Sequence, residues 1–250
     1  PDEVERVAGA YVEAGSRVIL TNTFRANRMA LDAIGRGELV ESVNRAGVAH
    51  SRKAAAGRAL VFGSLGPSGH IYRDSKRSNE LLHASYLEQG RALADAGVDA
   101  LVLETMIDLG EVRVALDALK TVGLPVVVSF TFDIRSGDPL TITGDRPERV
   151  AEILTADGAD AIGANCGPGL EPHVAICQRL RAATDVPIWM KPNAGLPRIE
   201  QGRAIYETTP TAFAEAGLRL IDAGASFVGG CCGTTPECIA ALVRAVAAAP

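Results

Sequence analysis

The sequence predicts an α/β protein built on a parallel sheet, specifically a TIM-type (β/α)₈ barrel with its first strand missing. Three observations carry this. Short apolar runs alternate with helical stretches along the whole chain, the pattern of strands buried on both faces. One unit recurs at residues 96–104, 158–165 and 223–229: a helix end, a small-residue turn, then a short apolar strand finishing on a polar or small residue. Finally, 250 residues at 47% hydrophobic composition suit one large core, so residues 1–250 read as a single barrel domain.

In order, residues 2–14 place Val4, Val7, Tyr11 and Ala14 at helical spacing, with acids in the first turn. Gly15 ends that helix and residues 17–22 read as a strand. Further strands fit at 59–64, 100–104, 125–132, 160–165, 187–192 and 225–228. Helices are expected near 37–57, 80–96, 111–122, 146–157, 171–184, 208–222 and 236–248, the last with Thr235 as N-cap and Pro236 at its first position. Seven strands, each followed by a helix and all preceded by one unpaired helix, is the count of a (β/α)₈ barrel without its first strand. A barrel closes only when every strand pairs on both sides, so the sequence predicts a further strand and glycine-rich turn upstream of Pro1. A doubly wound open sheet is the alternative, but no Gly-x-Gly-x-x-Gly turn follows any strand. Residues 65–79 and 193–206 read as long irregular segments on the catalytic face, placed to cover a substrate.

Composition narrows the function. A net charge of −5 argues against nucleic acid as a partner. No run approaches the roughly 18 apolar residues of a membrane span, and no leader pattern precedes the fold, which points to a cytoplasmic protein without a membrane partner. Five cysteines, at 166, 177, 231, 232 and 238, fit metal-binding or catalytic thiols in a reducing compartment better than a disulfide framework.

The chemistry gathers on Cys166, Cys231 and Cys232. Adjacent cysteines rarely reach the geometry of a mutual disulfide, yet both can face one soft metal ion. Cys231 and Cys232 follow the strand at 225–228 on a glycine-padded turn, and Cys166 follows the strand at 160–165 in the same way. Strand C-termini converge on one mouth of a barrel, so the three thiols suit a zinc site with one open position. Cys177 and Cys238 fall inside expected helices and read as small buried hydrophobes. His50, His70, His83 and His173 offer no ligand or base, and no Gly-x-Ser-x-Gly elbow is present. Glu104, immediately after an apolar strand, is placed to hold a cationic group. Asn22, Asn165 and Asn193 end three other strands and can supply amide hydrogen bonds. Lys191 either binds an anion or pairs with a nearby acid.

Residues 163–169 (Gly-Ala-Asn-Cys-Gly-Pro-Gly), 190–197 (Met-Lys-Pro-Asn-Ala-Gly-Leu-Pro) and 229–237 (Gly-Gly-Cys-Cys-Gly-Thr-Thr-Pro-Glu) resemble the homocysteine S-methyltransferase family. The likeness begins at Thr21-Asn22-Thr23-Phe24 and runs to the end of the chain. It implies a TIM barrel with zinc on Cys166, Cys231 and Cys232, homocysteine as methyl acceptor, methionine as product, and the substrate amino group held partly by Glu104. Methyl donors within the family include methyl-folate through methylcobalamin, betaine and sulfonium compounds. Residues 190–197 lean toward the branch that uses cobalamin or folate on another module. The family's first strand, with its Asp-Gly turn, has no counterpart here. The chemistry is consistent: only a thiolate attacks a methyl group, and zinc deprotonates a coordinating thiol without a general base. Two other readings are a methyltransferase component serving a corrinoid protein with another acceptor or donor, and a non-catalytic structural zinc domain. The latter would normally use four protein ligands.

Overall fold

The computed structural model describes residues 1–69, 72 and 75–249. Helix α1 (Asp2–Glu13) leads into β1 (Val18–Leu20), followed by α2 (Arg28–Asp32), a 3₁₀ turn at Gly37–Leu39 and α3 (Val40–Ala55). Then come β2 (Leu60–Leu65), α4 (Lys76–Asp95), β3 (Ala100–Met106), α5 (Leu109–Lys120) and β4 (Val126–Phe130). A hairpin of β5 (Asp133–Arg135) and β6 (Asp138–Leu140) precedes α6 (Pro147–Ala156), β7 (Ala161–Cys166), α7 (Leu170–Ala183) and β8 (Ile188–Pro192). A second hairpin, β9 (Arg198–Glu200) and β10 (Arg203–Ile205), precedes α8 (Pro210–Asp222), β11 (Phe227–Val228) and α9 (Pro236–Ala248).

Seven strands form one parallel sheet in the order β1-β2-β3-β4-β7-β8-β11, each βα unit adding its strand beside the last. Among the described residues β1 and β11 are its two unpaired edges. They face each other across a cavity of about 950 Å³, walled by Val18 and Leu20 on one side and Trp189, Phe227 and Val228 on the other. The sheet therefore curls into a partial barrel that is open between β1 and β11. No described helix is long and apolar enough to cross a membrane.

Strand side chains alternate, and the alternation defines two layers. Val61, Leu101, Leu103, Val126, Val128, Ile162, Ile188 and Met190 pack outward against the helices in one continuous core. Phe62, Ala100, Val102, Val127, Ala161 and Trp189 turn inward and fill the bore. Phe62 and Trp189 stack there with ring centroids 5.9 Å apart. Two residues further along, the same inward rows end in Ser64, Glu104, Ser129 and Lys191, and the β7 row passes through Gly163 to Asn165, so an apolar plug is capped by a polar layer at the mouth. Between β7 and β8 the strands close tightly: a Cβ on Gly163 would fall 1.6 Å from the Trp189 carbonyl oxygen. That contact fixes the register in which Asn165 faces Lys191 and Cys166 faces Pro192.

Several expectations need correction. Residues 193–206 are not irregular but contain the β9–β10 hairpin, and residues 133–140, between the strand expected at 125–132 and the helix expected at 146–157, form another. Both turn on two residues with positive φ, Ser136-Gly137 and Gln201-Gly202, as a tight twist-matched hairpin requires. Neither pair is the familiar Asn-Gly, so the sequence carries no strong hairpin signal at these turns. Helix α4 begins at Lys76, where the Ser75 hydroxyl accepts the Ser78 N–H, so the irregular segment after β2 is shorter than 65–79. His70, assigned to that segment, lies outside the described residues. The strand expected at 225–228 to be buried is the half-exposed edge β11, because no strand among the described residues pairs with its outer side. Thr235 does occupy the N-cap of α9, but its hydroxyl points to Cys238 Sγ (3.7 Å) rather than to a backbone N–H.

Candidate metal centre

The three thiols nominated by the sequence meet. The sulfurs of Cys166, Cys231 and Cys232 all lie within 4.8 Å of one another, with Cys166 and Cys232 3.9 Å apart. Thiolates about 2.3 Å from one zinc in a tetrahedron sit roughly 3.8 Å apart, so the donor set and its spacing fit that ion. Cys232 is exposed while Cys166 and Cys231 are half-buried, which leaves one side of the cluster open to solvent. Cys177 and Cys238 are buried elsewhere, with the Cys177 thiol against the Leu220 carbonyl.

Local backbone geometry aims the sulfurs. Cys166 ends β7 with φ of +63°, and Gly167 follows at +72°, so the chain turns sharply and presents the thiol at the mouth. A non-glycine residue rarely occupies this left-handed region unless its surroundings hold it there. The holding groups are visible. The imidazole of His173, from the first turn of α7, donates to the Gly169 carbonyl at 2.6 Å. Burial pushes its pKa down to about 4, so it stays neutral. On the other side, Cys231 donates its N–H to Pro192 O, and Ala194 donates to Cys232 O, both at 2.9 Å. The double-cysteine turn thereby continues the β8–β11 pairing.

Two of the asparagines nominated as substrate contacts connect these turns. Asn193 donates to Gly167 O at 2.9 Å and accepts from Cys232 N–H at 3.0 Å, tying the Cys166 turn to the Cys232 turn. Asn165 is fully buried. Its carbonyl accepts from Thr105 N–H (2.8 Å) and Ser129 Oγ (2.7 Å), while its amino group donates to Thr105 Oγ1 (2.7 Å) and reaches Cys231 Sγ at 3.8 Å. Thr105 itself sits at φ of +57°, so Asn165 locks a second strained strand tip beside the thiols. Asn22 is exposed and lines the cavity together with Lys191 and Cys231. Glu104 reaches across the bore from β3. It accepts from Ser64 Oγ at 2.5 Å and pairs with Lys191 Nζ at 2.9 Å. The sequence reading missed His173 as a support. It also missed Tyr206, whose ring packs over Gly233 so closely that a Cβ there would meet it at 2.2 Å. Burial, and then the charges of the three thiols, raise the Tyr206 pKa.

Electrostatics explain why this cluster calls for a cation. A hydrogen bond from Cys231 draws the Cys166 thiol down to about 7, against burial and the charge of Cys232. Donating that bond, and its own burial, push Cys231 up. Cys232 is raised by burial first and then by neighbouring Cys231. Close like charges oppose each other's ionisation, so by itself the trio ionises at no more than one thiol near neutral pH. A divalent metal reverses that balance and lets all three ionise.

The methionine synthase of Mycobacterium leprae is 29% identical over 260 residues, covering 99% of this chain and 21% of that protein. The Mycobacterium tuberculosis methionine synthase is 29% identical over 261 residues, covering 99% and 22%. The chain thus spans about a fifth of the length of these relatives. Among solved structures, the metallated form of the homocysteine methyltransferase MmuM from Escherichia coli superposes with a TM-score of 0.81. It is 26% identical and covers 98% of this chain and 84% of that one. The family profile described as homocysteine S-methyltransferase matches residues 1–246, and the chain therefore belongs to the homocysteine S-methyltransferase family.

Proposed function

We propose that this chain is the homocysteine-binding barrel of a zinc-dependent S-methyltransferase that converts homocysteine to methionine. The observation that carries the reading is the set of three sulfurs within 4.8 Å of one another at a barrel mouth, open on the Cys232 side. A structural zinc site would use a fourth protein ligand, and no other His, Cys, Asp or Glu joins this cluster among the described residues. Zinc bound there supplies the positive charge that keeps the thiol of homocysteine ionised at neutral pH. The chain's own residues do the remaining work. Asn165, Asn193 and His173 hold the thiol-bearing turns, and Glu104 offers a buried carboxylate to the substrate ammonium. Asn22 offers an amide on the wall of the open cavity. The likeness of residues 190–197 to the cobalamin-linked branch favours methylcobalamin or methyl-folate on another module as donor over betaine or a sulfonium compound. Five free cysteines suit a reducing, cytoplasmic setting.

The barrel is also read as incomplete across its open seam. A segment preceding Pro1 would supply one more parallel strand between β1 and β11, closing the bore and adding a turn at the mouth beside Asn22. In a protein that carries this segment, the amides of residues 18 and 20, which face away from β2, are expected to gain protection in hydrogen exchange. Equally fast exchange with and without it would argue against closure.

Metal content tests the ligand set. The protein should hold one zinc per chain, Cys166→Ala and Cys231→Ala should each abolish it, and Cys177→Ala should retain it. Zinc found by elemental analysis at full occupancy in Cys166→Ala would exclude this site. Glu104→Gln should keep its zinc but bind homocysteine about 10- to 100-fold more weakly, the worth of one charge-assisted hydrogen bond. Unchanged affinity in a calorimetric titration would place the ammonium elsewhere.

A further inference from the structure

The ion pair between Glu104 and Lys191 is not explained by the needs of the fold. It spans the bore: Glu104 comes from β3 and Lys191 from β8, with β4 and β7 between them in the sheet. Both side chains are nearly buried, at 12% and 13% exposure. Pairs of this kind gain little stability, because desolvation of two charges offsets most of their attraction. An apolar pair would plug the bore as well, as Phe62 and Trp189 do one layer deeper. Lys191 also stands where ligand chemistry is expected. It lines the open cavity with Cys231 and Asn22, and its Nζ lies 5.9 Å from the ring centroid of Trp189. The Trp189 indole N–H, buried in the same wall, has no hydrogen-bond partner among the described residues.

We propose that Glu104 and Lys191 form a split receptor for the two charges of an α-amino acid, with Lys191 filling the ammonium subsite until substrate arrives. This rests on the homocysteine reading above and names the residue that selects the substrate class. On entry the α-ammonium takes the place of Lys191 Nζ on Glu104, whose other oxygen keeps its bond from Ser64. The displaced Lys191 then pairs with the α-carboxylate. Charges alternate along the resulting chain of groups, and every buried charge keeps a partner. A thiol with an ammonium but no carboxylate would evict Lys191 and leave it buried without a counter-ion. A thiol with neither charge would leave the resident pair closed. Such exclusion works through the penalty on the wrong ligand, not only the attraction of the right one.

Calorimetric titration of the zinc-loaded protein with L-homocysteine and with 3-aminopropane-1-thiol, its decarboxylated analogue, tests this. The unaltered protein should favour homocysteine by about 10- to 100-fold, the range for one charge-assisted contact. In Lys191→Met that preference should shrink to within about threefold, with zinc content unchanged, while Lys191→Arg should keep most of it. Homocysteine should lose affinity in the Met variant, and the analogue should lose none because its competitor for Glu104 is gone. Undiminished preference in Lys191→Met at normal zinc content, or no preference in the unaltered protein, would overturn the receptor and leave the homocysteine reading intact. Failure of homocysteine to bind the zinc-loaded protein would overturn both.

Discussion

Three sulfurs lie closer together than three negative charges tolerate, and the mouth of this barrel is arranged around that conflict. Without a cation the cluster shares its protons, with Cys166 drawn down toward neutrality and Cys231 and Cys232 pushed up. Presenting three sulfurs this close, with Cys166 and Cys232 3.9 Å apart, requires a rigid frame. That frame consists of a left-handed residue at Cys166, a buried neutral His173 under its turn, and two asparagine amides that link the strand tips. The Asn193 bonds join turns that follow neighbouring strands, so the site inherits its precision from the β7–β8–β11 register.

The second organising feature is the period of two along each strand. It sends one row of side chains to the helices and the other to the bore. The bore row changes from apolar to polar within two residues. Phe62 gives way to Ser64, Val102 to Glu104, Val127 to Ser129 and Trp189 to Lys191. The same strands therefore build the hydrophobic plug and the ligand-facing layer, and a one-residue slip would send both to the wrong face. The open seam between β1 and β11 is the exception, where the plug is half-walled and Phe227 stays partly exposed at 36%.

Most of this architecture was legible in the chain. Continuous apolar runs after Gly97, Gly158 and Gly224 mark strands entering a buried parallel sheet, and the seven main strands fall where those runs lie. The thiol cluster was legible for the same reason, since strand C-termini must converge. The roles of the asparagines were not. Asn165 ends a strand as a ligand-binding residue would, yet its row position turns it inward beneath Thr105 and Cys231, where its amide is consumed by the frame. Applying the period-two alternation back from Glu104 and Lys191 would have flagged that. For Lys191 the sequence leaves both an anion site and a partnership with an acid open. Across-the-bore pairing with Glu104 depends on curvature, which no local pattern carries. The two hairpins were hidden because Ser-Gly and Gln-Gly turns look like ordinary loop sequence.

The central claim is that the cluster, once loaded with zinc, binds homocysteine as its thiolate. Proton release measures this directly, by titrating the zinc-loaded protein with homocysteine near pH 7 in buffers of different ionisation enthalpy. The account predicts about one proton released per homocysteine bound, because the free thiol is mostly protonated at that pH. It also predicts that release stops when the metal is stripped. Binding with no proton release, or equal release from the metal-free protein, would contradict it.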